Sequence, residues 1–100
     1  MTTMYAVAAQ YYAKAGNDNE IARILKKITV ISHAEPGCAM YIVNRSIDDP
    51  RRFLIYEQYQ DKRDYEAHME MYPFKDDSLV RVLPMLESSE LAFYEVIEPK

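Results

Sequence analysis

The sequence of 100 residues is poor in the residues from which phosphate, metal and disulfide sites are usually built. It has only two glycines, Gly16 and Gly37, so no glycine-rich loop can bind a dinucleotide or a nucleoside triphosphate. Its one cysteine, Cys38, excludes an internal disulfide, and together with two isolated histidines it supplies no set of zinc or iron ligands within the chain. A lone thiol is typical of a reducing compartment, so we expect a cytoplasmic protein.

The chain also lacks an excess of positive charge and any long hydrophobic run. Its net charge is −4, and its twelve Lys and Arg residues are spread along the sequence, whereas nucleic-acid-binding domains usually carry a basic face. Its apolar stretches are short and interrupted, so we predict no membrane-spanning segment. We therefore expect a partner that is neither a nucleic acid nor a membrane.

What the sequence does contain is enough apolar surface for one core and an unusual number of tyrosines. Hydrophobic residues make up 49% and charged residues 28% of the chain, as in globular proteins, and we interpret residues 1–100 as one domain. There are nine tyrosines and no tryptophan. A tyrosine combines a large apolar ring with a hydrogen-bonding hydroxyl, which suits cores, interfaces and pockets for aromatic ligands.

Hydrophobic periodicity predicts four strands at residues 4–12, 38–45, 52–60 and 91–97. A capping box of Asn17 and Glu20 predicts the start of a first helix, which should bury Ile21, Ile24, Leu25, Ile28 and Ile31. A second helix should begin at Asp61 and carry Tyr65, His68, Met69 and Tyr72 on one face. A short third helix should follow from residue 76 and bury Leu79, Val82, Leu83 and Leu86.

This βαββα(α)β order is typical of the α+β ferredoxin-like fold, with an antiparallel four-stranded sheet and the helices on one face. The third and fourth predicted strands are apolar on both faces, although a sheet that is half in water should alternate apolar and polar residues. The helices can cover only one of these faces. We therefore predict a homodimer, in which a second copy covers the other face.

An ordered series of short motifs resembles the antibiotic biosynthesis monooxygenase superfamily. Its central part comprises Glu35-Pro36-Gly37-Cys38, Tyr41, Arg45-Ser46, Asp48-Asp49-Pro50, Arg52-Phe53-Leu54 and Tyr56-Glu57. Its second part comprises Ala67-His68, Phe74-Lys75, Leu83-Pro84-Met85-Leu86 and Phe93-Tyr94-Glu95-Val96. The resemblance implies a dimeric α+β barrel, in which each subunit keeps a cavity between its sheet and its helices.

Two residues are candidates for acid–base chemistry. His68 shares a predicted helix face with Tyr65 and Met69, and an imidazole can exchange a proton near neutral pH. The resemblance implies that this histidine borders the cavity, whereas the alternative is a core histidine satisfied by a carbonyl or a tyrosine hydroxyl. Glu57 lies in a strand that is apolar on both faces, so it serves either as a base or as a structural hydrogen-bonding group.

Three further residues are candidates for substrate binding. Tyr65 and Tyr72 flank His68 and could orient a phenolic substrate, and ordinary packing is the alternative for each. Asn44 lies near the end of the second predicted strand and could meet a polar substrate edge at a cavity mouth. A solvated position in a hairpin explains Asn44 equally well.

The resemblance favours a cofactor-independent monooxygenase that oxidises an electron-rich phenol, quinol or polyketide-like aromatic with dioxygen. Haem-degrading members of the superfamily use Asn, Trp and His, whereas this chain has no Trp and no Asn in its first strand. We therefore expect no haem, and we expect no flavin or metal because the sequence has no motif for either. An isomerase or lyase of a small metabolite, or a non-enzymatic ligand-binding stress protein, remains an alternative on the same fold.

Overall fold

The computed structural model describes residues 4–70 and 80–97, which form a four-stranded antiparallel sheet with helices on one face. The elements are β1 (Tyr5–Ala13), α1 (Asp18–Ser32), β2 (Cys38–Arg45), β3 (Arg52–Tyr59), α2 (Lys62–Met69) and β4 (Leu86–Glu95). The strand order is β2–β3–β1–β4, and every neighbouring pair is antiparallel. The predicted α+β ferredoxin-like arrangement is therefore confirmed. Within the described ranges, no helix is long and apolar enough to cross a membrane.

Helix α1 packs across the sheet because its apolar residues recur every three or four positions. As predicted, Ile21, Ile24, Leu25 and Ile28 are buried in the core, whereas Ile31 is only partly buried. The predicted capping box is wrong, since Asn17 makes no side-chain hydrogen bond to the helix start. Glu20 instead forms ion pairs with Arg23 and Arg81, so its carboxylate is directed along the helix surface.

Helix α2 begins at the predicted cap and lies against the turn that precedes β2. The side chain of Asp61 accepts a hydrogen bond of 3.1 Å from the backbone N–H of Asp64. A Cβ atom on Gly37 would clash with the side chain of Asp64, so any other residue here would have to displace that side chain. The helix ends at Met69; Tyr72 and the predicted start of the third helix lie outside the described residues.

Strand β4 begins at Leu86 and not at residue 91, and this is the main correction to the predicted elements. The residues at positions 87–90 are polar and therefore do not show the apolar pattern from which a strand is predicted. Ser88 and Glu90 nevertheless pair with β1 in regular register. Before the strand, Leu83–Met85 forms a single 3₁₀ turn. Of the residues that the predicted third helix should bury, Val82 and Leu86 are buried, whereas Leu83 is 40% exposed. Pro84 lies in this turn, and because it lacks an N–H group it disfavours a continuing α-helix.

The residues that the structure describes leave exposed the face of the sheet opposite the helices, and we call it the open face. Strand alternation and pairing assign to it Met40, Ile42, Asn44, Leu54, Tyr56, Ala92 and Tyr94. Ile42 and Tyr94 are 45% and 56% exposed. On the helix side of β3, by contrast, Phe53, Ile55, Glu57 and Tyr59 are all buried. Successive residues of β3 therefore serve two different surfaces.

Candidate active site

A cavity of about 200 Å³ lies between the helix side of the sheet and the two helices. Its wall is largely apolar, and the apolar side chains are Ala9, Leu25, Ile55, Met69, Leu83 and Leu91. The polar residues along it are Tyr11, Tyr41, Glu57, Tyr65, Ser89 and Glu90. An apolar cavity with a few polar groups is the usual form of a small-molecule site.

Glu57 is the buried acid of this cavity. The pleat of β3 directs its side chain inward beside Ile55, and the residue is only 6% exposed. The hydroxyl of Tyr59 donates a hydrogen bond of 2.7 Å to Oε1 of Glu57. Burial raises the pKa of Glu57 to about 7; the Tyr59 hydrogen bond opposes this rise, and the negative charge of Glu35 adds to it. At neutral pH this carboxyl group can therefore both accept and return a proton.

Three tyrosines surround Glu57 at the cavity, and two of them come from the sheet. Tyr41 of β2 lies directly opposite Glu57 in the strand pairing, and Tyr11 comes from β1. Burial, reinforced by the charge of Glu57, raises the pKa of Tyr41 well above its ordinary value and that of Tyr65 to about 12. Both phenols keep their protons at neutral pH and can donate hydrogen bonds to an anion in the cavity.

His68 lies behind the cavity, and it is not among the described residues that line it. The residue is 1% exposed, and its ring contacts the rings of Tyr41 and Tyr59 at centroid distances of 5.6 and 5.5 Å. Its Nδ1 atom lies 2.8 Å from Oε2 of Glu35, which belongs to the turn after α1. These contacts tie α2 to that turn and to the sheet.

Of the other predicted site residues, the structure describes Tyr65 and Asn44, which lie on opposite sides of the sheet. Tyr65 lines the cavity and packs edge-on against Tyr59 at a centroid distance of 5.6 Å. Asn44 lies on the open face, where its Nδ2 donates a hydrogen bond of 3.1 Å to the carbonyl of Leu54, and it does not reach the cavity. Tyr72 lies outside the described residues. In the part of the chain that the structure describes, no group of three or more His, Cys, Asp or Glu side chains could hold a metal ion.

Sequence reasoning did not propose Tyr11 and Tyr41 as site residues, although a signal for Tyr41 was present. The hairpin joining β2 and β3 pairs Arg45 with Phe53, and counting back along both strands pairs Tyr41 with Glu57. Side chains directly opposite each other in a sheet share one face. The predicted hairpin could therefore have indicated that Tyr41 accompanies Glu57.

Comparisons with known proteins find one matching family and the same fold in several solved structures. Residues 4–76 match the family model described as antibiotic biosynthesis monooxygenase. The structure of PA3566 from Pseudomonas aeruginosa is 23% identical, with a TM-score of 0.90 over 98% of each chain. That of SO0527 from Shewanella oneidensis is also 23% identical, with a TM-score of 0.89 over 96% of this chain and 93% of the other.

A third solved structure, of a conserved Bacteroides thetaiotaomicron protein, is described as of unknown function and a possible oxidoreductase. It is 20% identical, with a TM-score of 0.87 over 96% of this chain and all of its own length (100%). A comparison with curated proteins finds no match. At these identities, the solved structures support the fold alone. The chemistry has to be inferred from the residues of the cavity.

Proposed function

Because the chain belongs to the antibiotic biosynthesis monooxygenase family, we propose that it is a cofactor-independent monooxygenase of a small electron-rich phenol or quinol. The observation that carries this proposal is a carboxyl group, that of Glu57, buried in an apolar cavity with its pKa raised to about 7. Glu57 accepts the proton of the substrate hydroxyl. The resulting phenolate reduces dioxygen and itself supplies all four electrons, so the product is a quinone: one oxygen atom is retained on its ring, and the other leaves as water with two hydrogen atoms of the substrate.

The tyrosines of the cavity support this chemistry. Tyr65 and Tyr41 line the same space as Glu57 and retain their phenolic protons at neutral pH. They hold the substrate anion by hydrogen bonds, which are stronger in an apolar space that excludes water. We also propose Tyr72, which lies outside the described residues, as a substrate contact. His68 is kept as a second candidate base, although its described contacts favour a role in holding Tyr41 and Tyr59 in place.

The size of the cavity favours a substrate of one or two rings. Sites for drug-sized ligands usually have volumes of about 300–1,000 Å³, and an engineered cavity of about 150 Å³ binds benzene. The present cavity, of about 200 Å³, lies between these cases. A hydroquinone or a dihydroxynaphthalene therefore suits it better than a larger polyketide-like molecule.

The proposed activity predicts oxygen consumption without any added cofactor. A panel of hydroquinones and dihydroxynaphthalenes should include a substrate that the purified protein oxidises with one dioxygen consumed per molecule. An oxygen electrode and mass spectrometry of the product measure this stoichiometry. Rearrangement or cleavage of a bound compound without oxygen uptake would instead support an isomerase or lyase, for which a carboxyl that takes and returns protons near neutral pH is equally suited. Binding without any turnover would support a ligand-binding protein.

The open face supports the proposal that the protein is a homodimer. Ile42, Leu54 and Tyr94 expose 40–56% of their surfaces there, and obligate interfaces commonly bury more than about 2,000 Å².

Light scattering should give twice the chain mass of 11.7 kDa. The double substitution Ile42→Lys and Leu54→Lys should shift the protein towards the monomer. Val30→Lys, at a 70% exposed position of α1, is the matched control and should leave the mass unchanged. A wild-type monomer at micromolar concentration would overturn the proposal.

We propose a reducing, cytoplasmic location because the chain has one cysteine and therefore no internal disulfide. The reactivity of this thiol is a separate prediction. Burial, assisted by the charge of Glu35, raises the pKa of the Cys38 thiol to about 11. The thiol is therefore protonated at neutral pH and has little tendency to form disulfides or to react with oxidants. Alkylation of the native protein by iodoacetamide at neutral pH should accordingly be slow.

A further inference from the structure

Tyr59 contacts Glu57 from outside the described lining of the cavity. The two residues are two positions apart on β3, so their side chains lie on the same face of the sheet. Tyr59 is completely buried (0% exposed), and it is not among the described residues that line the cavity. Its hydroxyl nevertheless donates a hydrogen bond of 2.7 Å to Oε1 of Glu57. This bond reaches the carboxyl group from behind the cavity wall.

The tyrosine ring is held on two sides by aromatic neighbours from α2. The ring of Tyr65 lies edge-on to it at 5.6 Å, and the ring of His68 lies at 5.5 Å. The backbone of Tyr59 pairs with Tyr5 of β1 on one side and with Cys38 of β2 on the other. Its position in the sheet is therefore fixed from both sides. The donor is therefore already in place before any substrate binds, and no reorganisation is needed to stabilise the carboxylate.

The hydroxyl of Tyr59 is a permanent donor in the neutral pH range. Burial, together with the negative charge of Glu57, raises the pKa of Tyr59 far above its ordinary value. A hydrogen bond donated to a carboxylate is stronger than one donated to the neutral acid, so the bond favours the ionised form. It therefore acts against burial, which favours the neutral form of Glu57.

We propose that Tyr59 is a positioning residue that keeps Glu57 available as the proton acceptor of the cavity. It stabilises the ionised form of the carboxyl group in a space that would otherwise keep it protonated. This inference rests on the proposed role of Glu57 as the base. It extends that role to a residue outside the described lining of the cavity.

Other titratable groups face Glu57, and they act differently from Tyr59. They are Tyr11 from β1, Tyr41 and Cys38 from β2, Tyr65 from α2 and Glu35 from the turn after α1. Glu35 raises the pKa of Glu57 through its negative charge. The phenols of Tyr41 and Tyr65 line the cavity, where a substrate competes for them. Among the described contacts, the hydrogen bond to Glu57 comes from Tyr59.

The test is the substitution Tyr59→Phe, which removes the hydroxyl and keeps the ring. The pKa of Glu57 should rise by about one to two units, as expected for the loss of a hydrogen bond to a charged group. A ¹³C NMR titration of the glutamate side-chain carboxyls measures this pKa directly, with Glu57→Gln used to assign the signal. The acid limb of the pH–rate profile should move upward by the same amount, while kcat at high pH and KM stay near their wild-type values.

The matched control is Tyr56→Phe on the same strand. The hydroxyl of Tyr56 also contacts a residue two positions away, since it accepts a hydrogen bond of 3.0 Å from Nε2 of Gln58, but it does so on the opposite face of β3. This variant should leave both the Glu57 titration and the pH–rate profile unchanged. A merely structural role for Tyr59 would lower activity equally at every pH and would leave the titration of Glu57 where it was.

An unchanged pKa of Glu57 in a folded Tyr59→Phe variant would overturn the inference. A variant that fails to fold is replaced by a measurement on the wild-type protein, in which the ¹³Cζ signal of Tyr59 should shift as Glu57 titrates. The absence of that shift would equally overturn it. A raised pKa of Glu57 without any oxygen consumption by either protein would refute the proposed monooxygenase and leave the role of Tyr59 in the ionisation of Glu57 intact.

Discussion

Replacing Glu57 with Gln is expected to lower turnover by about 10²–10⁴-fold, the usual contribution of a positioned general base. An amide has nearly the shape of a carboxyl group, and its oxygen can still accept the hydrogen bond from Tyr59. It cannot, however, take a proton from the substrate hydroxyl. Oxygen uptake with the best quinol of the panel measures the loss. A folded Glu57→Gln variant with full activity would exclude Glu57 as the base and leave His68 as the remaining candidate.

The same substitution should stabilise the protein at alkaline pH. Burial raises the pKa of Glu57 from 4.5 to about 7, so between these values the folded state binds more protons at this site than the unfolded state. The neutral carboxyl therefore makes its full contribution to the free energy of unfolding below about pH 4.5. This contribution is lost as the pH rises through about 7. Urea denaturation should show Glu57→Gln more stable than the wild type at pH 8, with the advantage shrinking towards pH 5.

Replacing His68 with Ala is expected to destabilise the fold by about 2–4 kcal/mol, in the range for truncating a buried side chain. The imidazole is 1% exposed and packs between the rings of Tyr41 and Tyr59, so its removal leaves a void under α2. Glu35 also loses the partner of its 2.8 Å contact. Turnover of the protein that remains folded should fall only a few-fold, because the imidazole is not part of the described cavity wall.

The other histidine of the chain provides the control for this prediction. Nε2 of His33 contacts the backbone carbonyl of Tyr41 at 2.9 Å, but His33 itself is exposed. His33→Ala should therefore cost only about 1 kcal/mol, the typical net value of one hydrogen bond. Denaturant midpoints and oxygen uptake separate the outcomes. A stable His68→Ala protein whose turnover falls by about 10²-fold would identify the imidazole as the base.

The elements whose periodicity matched one regular structure were predictable from the sequence. The apolar spacing from Ile21 to Ile28 is that of a helix, and the residues of β2 were delimited correctly because turn-forming residues bound it on both sides. The buried acid was also predictable, since a carboxyl between apolar neighbours in a strand must be either paired or neutral.

The features that depend on tertiary contacts were not predictable. The polar start of β4 looked like a loop until pairing with β1 accounted for its backbone hydrogen bonds. Helical spacing put Tyr65 and His68 on one face of α2, but only one of them reaches the cavity. Which one does so depends on how the helix is rotated against the sheet, and sequence spacing does not specify that rotation.

The division of β3 between two surfaces has an evolutionary consequence. Losing or gaining one residue within the strand would exchange its two sets of side chains. Glu57 would then turn to the open face, and Tyr56 or Gln58 would take its place at the cavity. One insertion or deletion would therefore disrupt both the cavity and the open face. We expect β3 to vary among related proteins by substitution and not in length. The alternation of side chains does not constrain the loop at residues 46–51. Length variation among related proteins should therefore concentrate in this loop.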